Sequence, residues 1–116
     1  MPATVISPIN AEHYTWGDGC DGWYLVRTPG LHVIEEVMPA GASEAAHYHQ
    51  RARQFFFILA GELVLSVEGR ENLLRAGEGL EIAPGEVHQA LNRGPAEARF
   101  LLTSQPLSHG DRIDSR

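Results

Sequence analysis

Glycine and proline interrupt this chain at short intervals: Pro29-Gly30, Pro39-Ala40-Gly41, Gly61, Glu68-Gly69, Gly77, Gly79, Pro84-Gly85 and Gly94-Pro95. Between these breaks lie short segments rich in Val, Ile, Leu and Phe, the pattern of many short strands joined by tight turns. No segment combines apolar residues at helical spacing with start and stop signals, so little helix is expected. The expected fold class is all-β, a sandwich or closed barrel. The segments expected as strands are Trp23 to Arg27, Leu31 to Met38, Ala45 to His49, Gln54 to Ala60, Glu62 to Glu68, Glu71 to Leu74, Gly79 to Ala83, Val87 to Asn92 and Ala96 to Ser104. The stretch "EGREN" reads as a hairpin turn.

A chain of 116 residues is long enough to bury one core, and one domain is expected over residues 23–104. Residues 1–22 have loop composition but carry His13, Tyr14 and Trp16, and read as an arm, leading with Trp23 and Tyr24 into a first strand, packed on the barrel or on a second subunit. Residues 105–116 read as a polar tail that frays at its end.

The balance of 9 Lys+Arg against 15 Asp+Glu, formally -6, repels a phosphate backbone and argues against nucleic acid as a partner. Every basic residue is arginine, which excludes chemistry that needs a lysine nucleophile or Schiff base. A lone cysteine, Cys20, forms no internal disulfide, and its acidic neighbours Asp18 and Asp21 should raise its thiol pKa and leave it inert. The opening "MPATVISPIN" lacks the pattern of a signal peptide, and no apolar run approaches the ~20 residues that span a bilayer. A cytoplasmic protein with no membrane partner is the expectation.

His47 and His49 stand two apart in "AHYHQRARQFFFILAGE". Residues two apart point the same way on a strand and diverge on a helix, so only a strand lets the pair share a metal. His88 follows the Pro84-Gly85 turn on another expected strand. Three neutral imidazoles from two strands suit Mn, Fe, Ni, Zn or Cu and leave coordination positions open, as in catalytic sites.

The run Gly41, five residues, His47-Tyr48-His49, four residues, Gln54, six residues, Gly61 resembles the first motif of the cupin superfamily, with Gln54 where that motif has glutamate. Gly77, five residues, Ala83-Pro84-Gly85, two residues, His88, three residues, Asn92 is similar to the second motif, with Ala83 in place of the usual proline. Together they cover Gly41 to Asn92, about half the chain. The resemblance implies a double-stranded β-helix, or jelly roll, of the small single-domain type, with a metal inside the barrel and frequently a dimer. It carries ligand roles onto His47, His49 and His88. Gln54 either binds directly or holds metal-bound water through a hydrogen bond. As a ligand it offers a neutral carbonyl oxygen, so a divalent ion keeps its full charge at some cost in affinity. A similar set of three histidines and one glutamine belongs to small cupins resembling the uronate-processing enzyme of pectin and alginate breakdown.

Parity from Gln54 sends Phe56 and Ile58 inward, as core or as pocket wall, and sends Phe55, Phe57 and Leu59 outward, which motivates a homodimer. Either Trp23 or Tyr24 reaches the pocket rim, with Trp23 as the candidate. Either Glu35 or Glu36 faces the interior as a candidate base, depending on register. Arg51 and Arg53 either draw an anion to the cavity mouth or are simply solvated. Asn92 is read as closing a turn, and His13, His32 and His109 as surface residues. The leading function is a metal-dependent reaction on a small, oxygen-rich or anionic molecule, either isomerisation, ring opening or elimination, or dioxygenation. The alternative is a non-catalytic module that binds a sugar or another small molecule.

Overall fold

A computed structural model of the chain describes residues 3–106 and 111–115. Eleven strands follow one another: β1 (Glu12–Trp16), β2 (Cys20–Thr28), β3 (Leu31–Met38), β4 (His47–His49), β5 (Arg53–Ala60), β6 (Glu62–Val67), β7 (Arg70–Arg75), β8 (Gly79–Ile82), β9 (His88–Leu91), β10 (Ala98–Gln105) and β11 (Arg112–Asp114). They form a six-stranded sheet in the order β1-β2-β3-β10-β5-β8 and a five-stranded sheet in the order β11-β4-β9-β6-β7. All pairings between them are antiparallel, and no helix occurs among the described residues. The fold is the expected double-stranded β-helix.

The alternation of each strand decides what enters the barrel. On β3, β10 and β5 the inward side chains fall into cross-strand rows: Glu36, Phe100 and Ile58; Ile34, Leu102 and Phe56; His32, Ser104 and Gln54. The first row is closed at its base by Phe100 and Ile58, both 0% exposed, which pack with Met38, Leu63 and Leu65. Burying a side chain of this size contributes about 1.5–3 kcal/mol. Progress along β5 from Ile58 to Gln54 and along β10 from Phe100 to Ser104 therefore runs from apolar core to polar site. The "EGREN" turn is a two-residue hairpin loop in which Glu68 and Gly69 have φ 52 and 78, the doubly left-handed geometry that matches the strand twist.

Both ends of the chain depart from the sequence reading. β1, within the segment taken as an arm, has no counterpart among the expected strands and extends the larger sheet through β2. β11, within the segment taken as a fraying tail, pairs with β4, Arg112 opposite His49 and Asp114 opposite His47. The buried Asp111 carboxylate accepts hydrogen bonds from the backbone N–H of Arg51 and Ala52 at 3.0 and 2.9 Å, and Ser115 N–H donates to Ala46 at 2.8 Å. Polar composition concealed this strand because its stability comes from these bonds rather than from apolar burial.

Asn92 does more than close its own turn. Its amide donates to the Met38 and Ala96 carbonyls at 2.9 and 3.0 Å, and its oxygen accepts from Gly94 N–H at 3.0 Å.

Candidate metal centre

His47 and His88 are direct cross-strand partners on β4 and β9, and His49 lies two residues along on the same face. One ring nitrogen from each of the three falls within 4.8 Å of the others, and all three side chains are buried. Local backbone geometry sets two of the rings. The Nδ1–H of His47 donates to the Ala45 carbonyl at 2.9 Å, and that of His88 to the Glu86 carbonyl at 3.0 Å, which leaves the lone pair of each on Nε2. Burial holds His47 down at about 3 and His49 at about 4, with the neighbouring His88 adding to both, and burial lowers His88 as well. The three are neutral imidazoles, the form that donates to a metal.

Gln54 enters from the opposite sheet. Its Nε2 donates to the buried Ser104 Oγ at 3.0 Å, across the β5–β10 pair. With the nitrogen so engaged, Oε1 is left without a partner. Among the described residues the buried side-chain polar atoms that lack a hydrogen-bond partner are His49 Nδ1, Gln54 Oε1 and His88 Nε2. Leaving a buried polar group unsatisfied costs about 1–3 kcal/mol. Their concentration in one place fits a divalent cation, which accepts from neutral nitrogen and carbonyl oxygen. Ser104 gave no signal of its own in the sequence, since its role exists only through a strand pairing fifty residues away.

The cluster opens on a cavity of about 310 Å³ whose walls include Tyr14, Trp16, Tyr24, His32, Ile34, Phe56 and Leu102, together with Glu36, Glu44, Arg112 and Gln54. Several placements differ from the sequence reading. Trp23 is not at the rim: it pairs in register with Glu35 on the outer face, beside the His13 ring at 5.4 Å and the Arg99 guanidinium at 5.6 Å. Tyr24, one residue on, takes the inward position, because a strand shows successive side chains to opposite faces. Phe56 lines the cavity, whereas Ile58 lies beneath it in the core. His32 is buried at 4% exposure and lines the cavity, which corrects its reading as a surface residue. His13 is exposed and bonded to Asp21 at 2.8 Å, and His109 lies outside the described residues.

Of the two glutamates, Glu36 faces inward and Glu35 outward, where it pairs with Arg99. Glu36 accepts a hydrogen bond from Tyr14 Oη at 2.5 Å. Burial pushes Glu36 up to about 8, against the opposing effect of that bond. Burial likewise raises Glu44 to about 7, although its carboxylate accepts from Ala90 N–H at 3.1 Å. Arg51 and Arg53 do not line the cavity; Arg53 pairs with Glu81 at 2.7 Å, and the cation on the cavity wall is Arg112 of β11. Cys20 is buried, and burial, more than its acidic neighbours, pushes its thiol up to about 11.

The model of the cupin domain family matches residues 33–104. The tetracenomycin polyketide synthase protein TcmJ of Streptomyces glaucescens is 34% identical over 68 residues, 59% of this chain and 46% of that protein. The chain spans about half the length of the sequence relatives it matches. Among solved structures, the polyketide cyclase RemF of Streptomyces resistomycificus superposes with a TM-score of 0.86 at 15% identity, covering 99% of this chain and 87% of that one. KdgF of a Halomonas species superposes with a TM-score of 0.81 at 18% identity, covering 92% and 98%. At these identities the structural likeness establishes the fold alone.

Proposed function

The chain belongs to the cupin superfamily, and from that premise we propose that it is a metal-dependent enzyme whose ion is held by His47, His49, His88 and the side-chain oxygen of Gln54. The observation that carries this reading is that the unpartnered buried polar atoms of the described residues belong to His49 and His88 of the histidine cluster and to Gln54, which lines the same cavity as His47 and His49. A divalent Mn, Fe, Ni, Zn or Cu ion bound there supplies Lewis acidity toward a carbonyl or hydroxyl oxygen.

The protein's own groups then define what the cavity accepts. Tyr14, Trp16, Tyr24 and Phe56 give it apolar, flat walls that favour an unsaturated or ring-shaped molecule and limit water. Arg112, whose Nε donates to Asp114 at 3.0 Å, brings a guanidinium with further N–H donors to the wall for a carboxylate or enolate on that molecule. Between the reaction classes left open by the sequence, we favour isomerisation, ring opening or elimination on an oxygen-rich or keto substrate over dioxygenation. The likeness in fold to a polyketide cyclase and the sequence likeness to a polyketide synthase protein support that preference.

The same proposal includes a homodimer through the outer face of the larger sheet and a cytoplasmic location. Phe55 and Leu59 are each 41% exposed there, and the Phe55 and Phe57 rings stack at 6.3 Å. No helix among the described residues is long and apolar enough to cross a membrane.

The test is elemental analysis of protein purified without a histidine tag, before and after dialysis against each metal. Stoichiometric metal followed by turnover in a screen of uronates, keto acids and catechol-like compounds, with and without oxygen, supports the proposal. Protein that neither carries nor takes up metal is not this enzyme. Metal with ligand binding but no turnover gives the non-catalytic binding module instead.

A further inference from the structure

Tyr14, Gly22 and Glu36 stand in one row across three adjacent strands, Tyr14 opposite Gly22 and Gly22 opposite Glu36. A phenol on β1 does not ordinarily reach a carboxylate on β3, because the intervening strand carries a side chain on the same face. Here that residue is glycine, and a Cβ built on it runs into Cζ and Oη of Tyr14. The missing side chain is what lets the Tyr14 ring lie over β2 and its hydroxyl reach Glu36 Oε2 at 2.5 Å. Both residues line the cavity that holds the histidine cluster, on the opposite sheet from the histidines. A buried carboxyl without a cationic partner is costly, and a fold that adds a dedicated hydroxyl to it across a glycine gap has placed a proton-handling group there.

We infer that Glu36 is the general base and acid of the reaction in this cavity and that Tyr14 is the positioning residue that holds its carboxyl. The inference rests on the metal-dependent function proposed above and adds to it the group that moves the proton. In its carboxylate form Glu36 takes a proton from a carbon next to a substrate carbonyl. The C–H electron pair moves toward the carbonyl carbon and the carbonyl pair onto its oxygen, while an O–H bond forms at Glu36. Glu36 then returns the same proton to a different atom of the substrate, or to the first one, so no oxidant or further reactant is needed. Tyr14 stays protonated throughout, because burial and the adjacent Glu36 raise its pKa above the usual phenol range.

Other ionisable groups share the surroundings of Glu36: Tyr24 and Cys20 from β2, His32 from its own strand, Glu44, the β4 histidines His47 and His49, and Arg112 from β11. Glu44 raises Glu36 and Arg112 lowers it, both by less than burial does. A near-neutral value suits a group that must both take and give a proton.

The experiment uses the metal-loaded protein with pyruvate in D2O, with metal content measured on every sample and proton NMR following replacement of the methyl protons by deuterium. Wild type should exchange them above the buffer rate. Glu36→Gln, with metal retained, should fall at least about 100-fold toward the buffer rate. Glu35→Gln, on the outer face, should match wild type. Tyr14→Phe should exchange about 10-fold more slowly and move the pH limb of the rate upward, since its hydroxyl lowers Glu36 more than Arg112 does, and Gly22→Ala should reproduce both effects by displacing the ring. Exchange that survives Glu36→Gln, that is absent in metal-loaded wild type, or whose pH limb ignores Tyr14→Phe, overturns the inference and leaves the metal site standing. Protein that binds no metal removes the underlying function itself.

Discussion

Ser104 Oγ accepts a hydrogen bond from the Gln54 amide nitrogen at 3.0 Å, which leaves the buried Gln54 carbonyl oxygen as the unpartnered atom of that amide, the one we propose as a ligand. Rotation of the amide would exchange an acceptor for a donor at the cluster and repel any cation there. Ser104→Ala removes the group that fixes this choice while leaving Gln54 in place. We expect metal affinity to fall about 10-fold or more, the usual cost of losing a hydrogen bond that orients a ligand, measured by competition with a chromophoric chelator. An unchanged affinity would show that the oxygen does not bind.

His49→Ala should abolish metal retention. His49 contributes one of three clustered nitrogens, and neither of the other described histidines, His13 and His32, belongs to that cluster. Elemental analysis after gel filtration decides the matter; retained stoichiometric metal contradicts the assignment. The substitution also deletes an unsatisfied buried nitrogen, so the metal-free variant is expected to keep wild-type secondary structure by circular dichroism.

Stability of the metal-free protein should depend on pH in a way that singles out Glu36. Its folded value, about 8, lies above the ordinary 4.5, so the folded state holds a proton that the unfolded state releases. The stability this supplies is complete below about 4.5 and is lost as pH rises through about 8. The histidines act in the opposite sense: with folded values of about 3 and 4 for His47 and His49, against an ordinary 6.5, their stabilising effect is lost as pH falls. Between pH 6.5 and 8 their slope is small and the glutamates dominate. Chemical denaturation should therefore show wild type weakening over that interval, and Glu36→Gln weakening by roughly 1–2 kcal/mol less. Parallel curves would mean that Glu36 does not hold this proton.

The all-β fold and the His47–His49 pair were legible in the sequence from strand and turn spacing, and the jelly roll with its three-histidine set from the resemblance to the two cupin motifs. Period-two alternation on one strand links His47 to His49, while His88 joined them through the resemblance to the second cupin motif, and the β4–β9 pairing sets it opposite His47. What spacing does not encode is partnership between strands remote in the chain. Glu36 could not be chosen over Glu35 until β3 had a register, and Tyr24 could not be chosen over Trp23 for the same reason on β2. Arg112 was hidden because it lies on a three-residue strand held at its start by the Asp111 carboxylate. The glycine at position 22 carried a signal: on a strand, a glycine can mark the close approach of another group, here the Tyr14 ring.

The outer face of the larger sheet leads to a prediction about assembly. Phe55 and Leu59 on β5 are each 41% exposed, and Leu31 on β3 is 38% exposed. If a second copy covers Phe55, light scattering after size-exclusion chromatography should give a dimer for wild type, and Phe55→Glu should give a monomer with unchanged metal content. A wild-type monomer at micromolar concentration removes the homodimer.

Gln54→Glu tests the charge of the site directly. Glutamate has nearly the same shape, can still face the cluster, and brings a formal negative charge to a centre whose other candidate donors are neutral imidazoles. A divalent cation should bind more tightly, by about 10-fold or more, because a charged oxygen replaces a neutral one. The same change cancels part of the positive charge that polarises a bound carbonyl and attracts an anion, so turnover in the screen should fall even as the metal binds better. Removing Ser104 together with the Gln54→Glu change should cost less metal affinity than removing it alone, since either oxygen of a carboxylate can serve as acceptor. A Gln54→Glu protein that matches wild type in both metal affinity and turnover would place the Gln54 side chain outside the metal's coordination and its hydrogen-bonding surroundings.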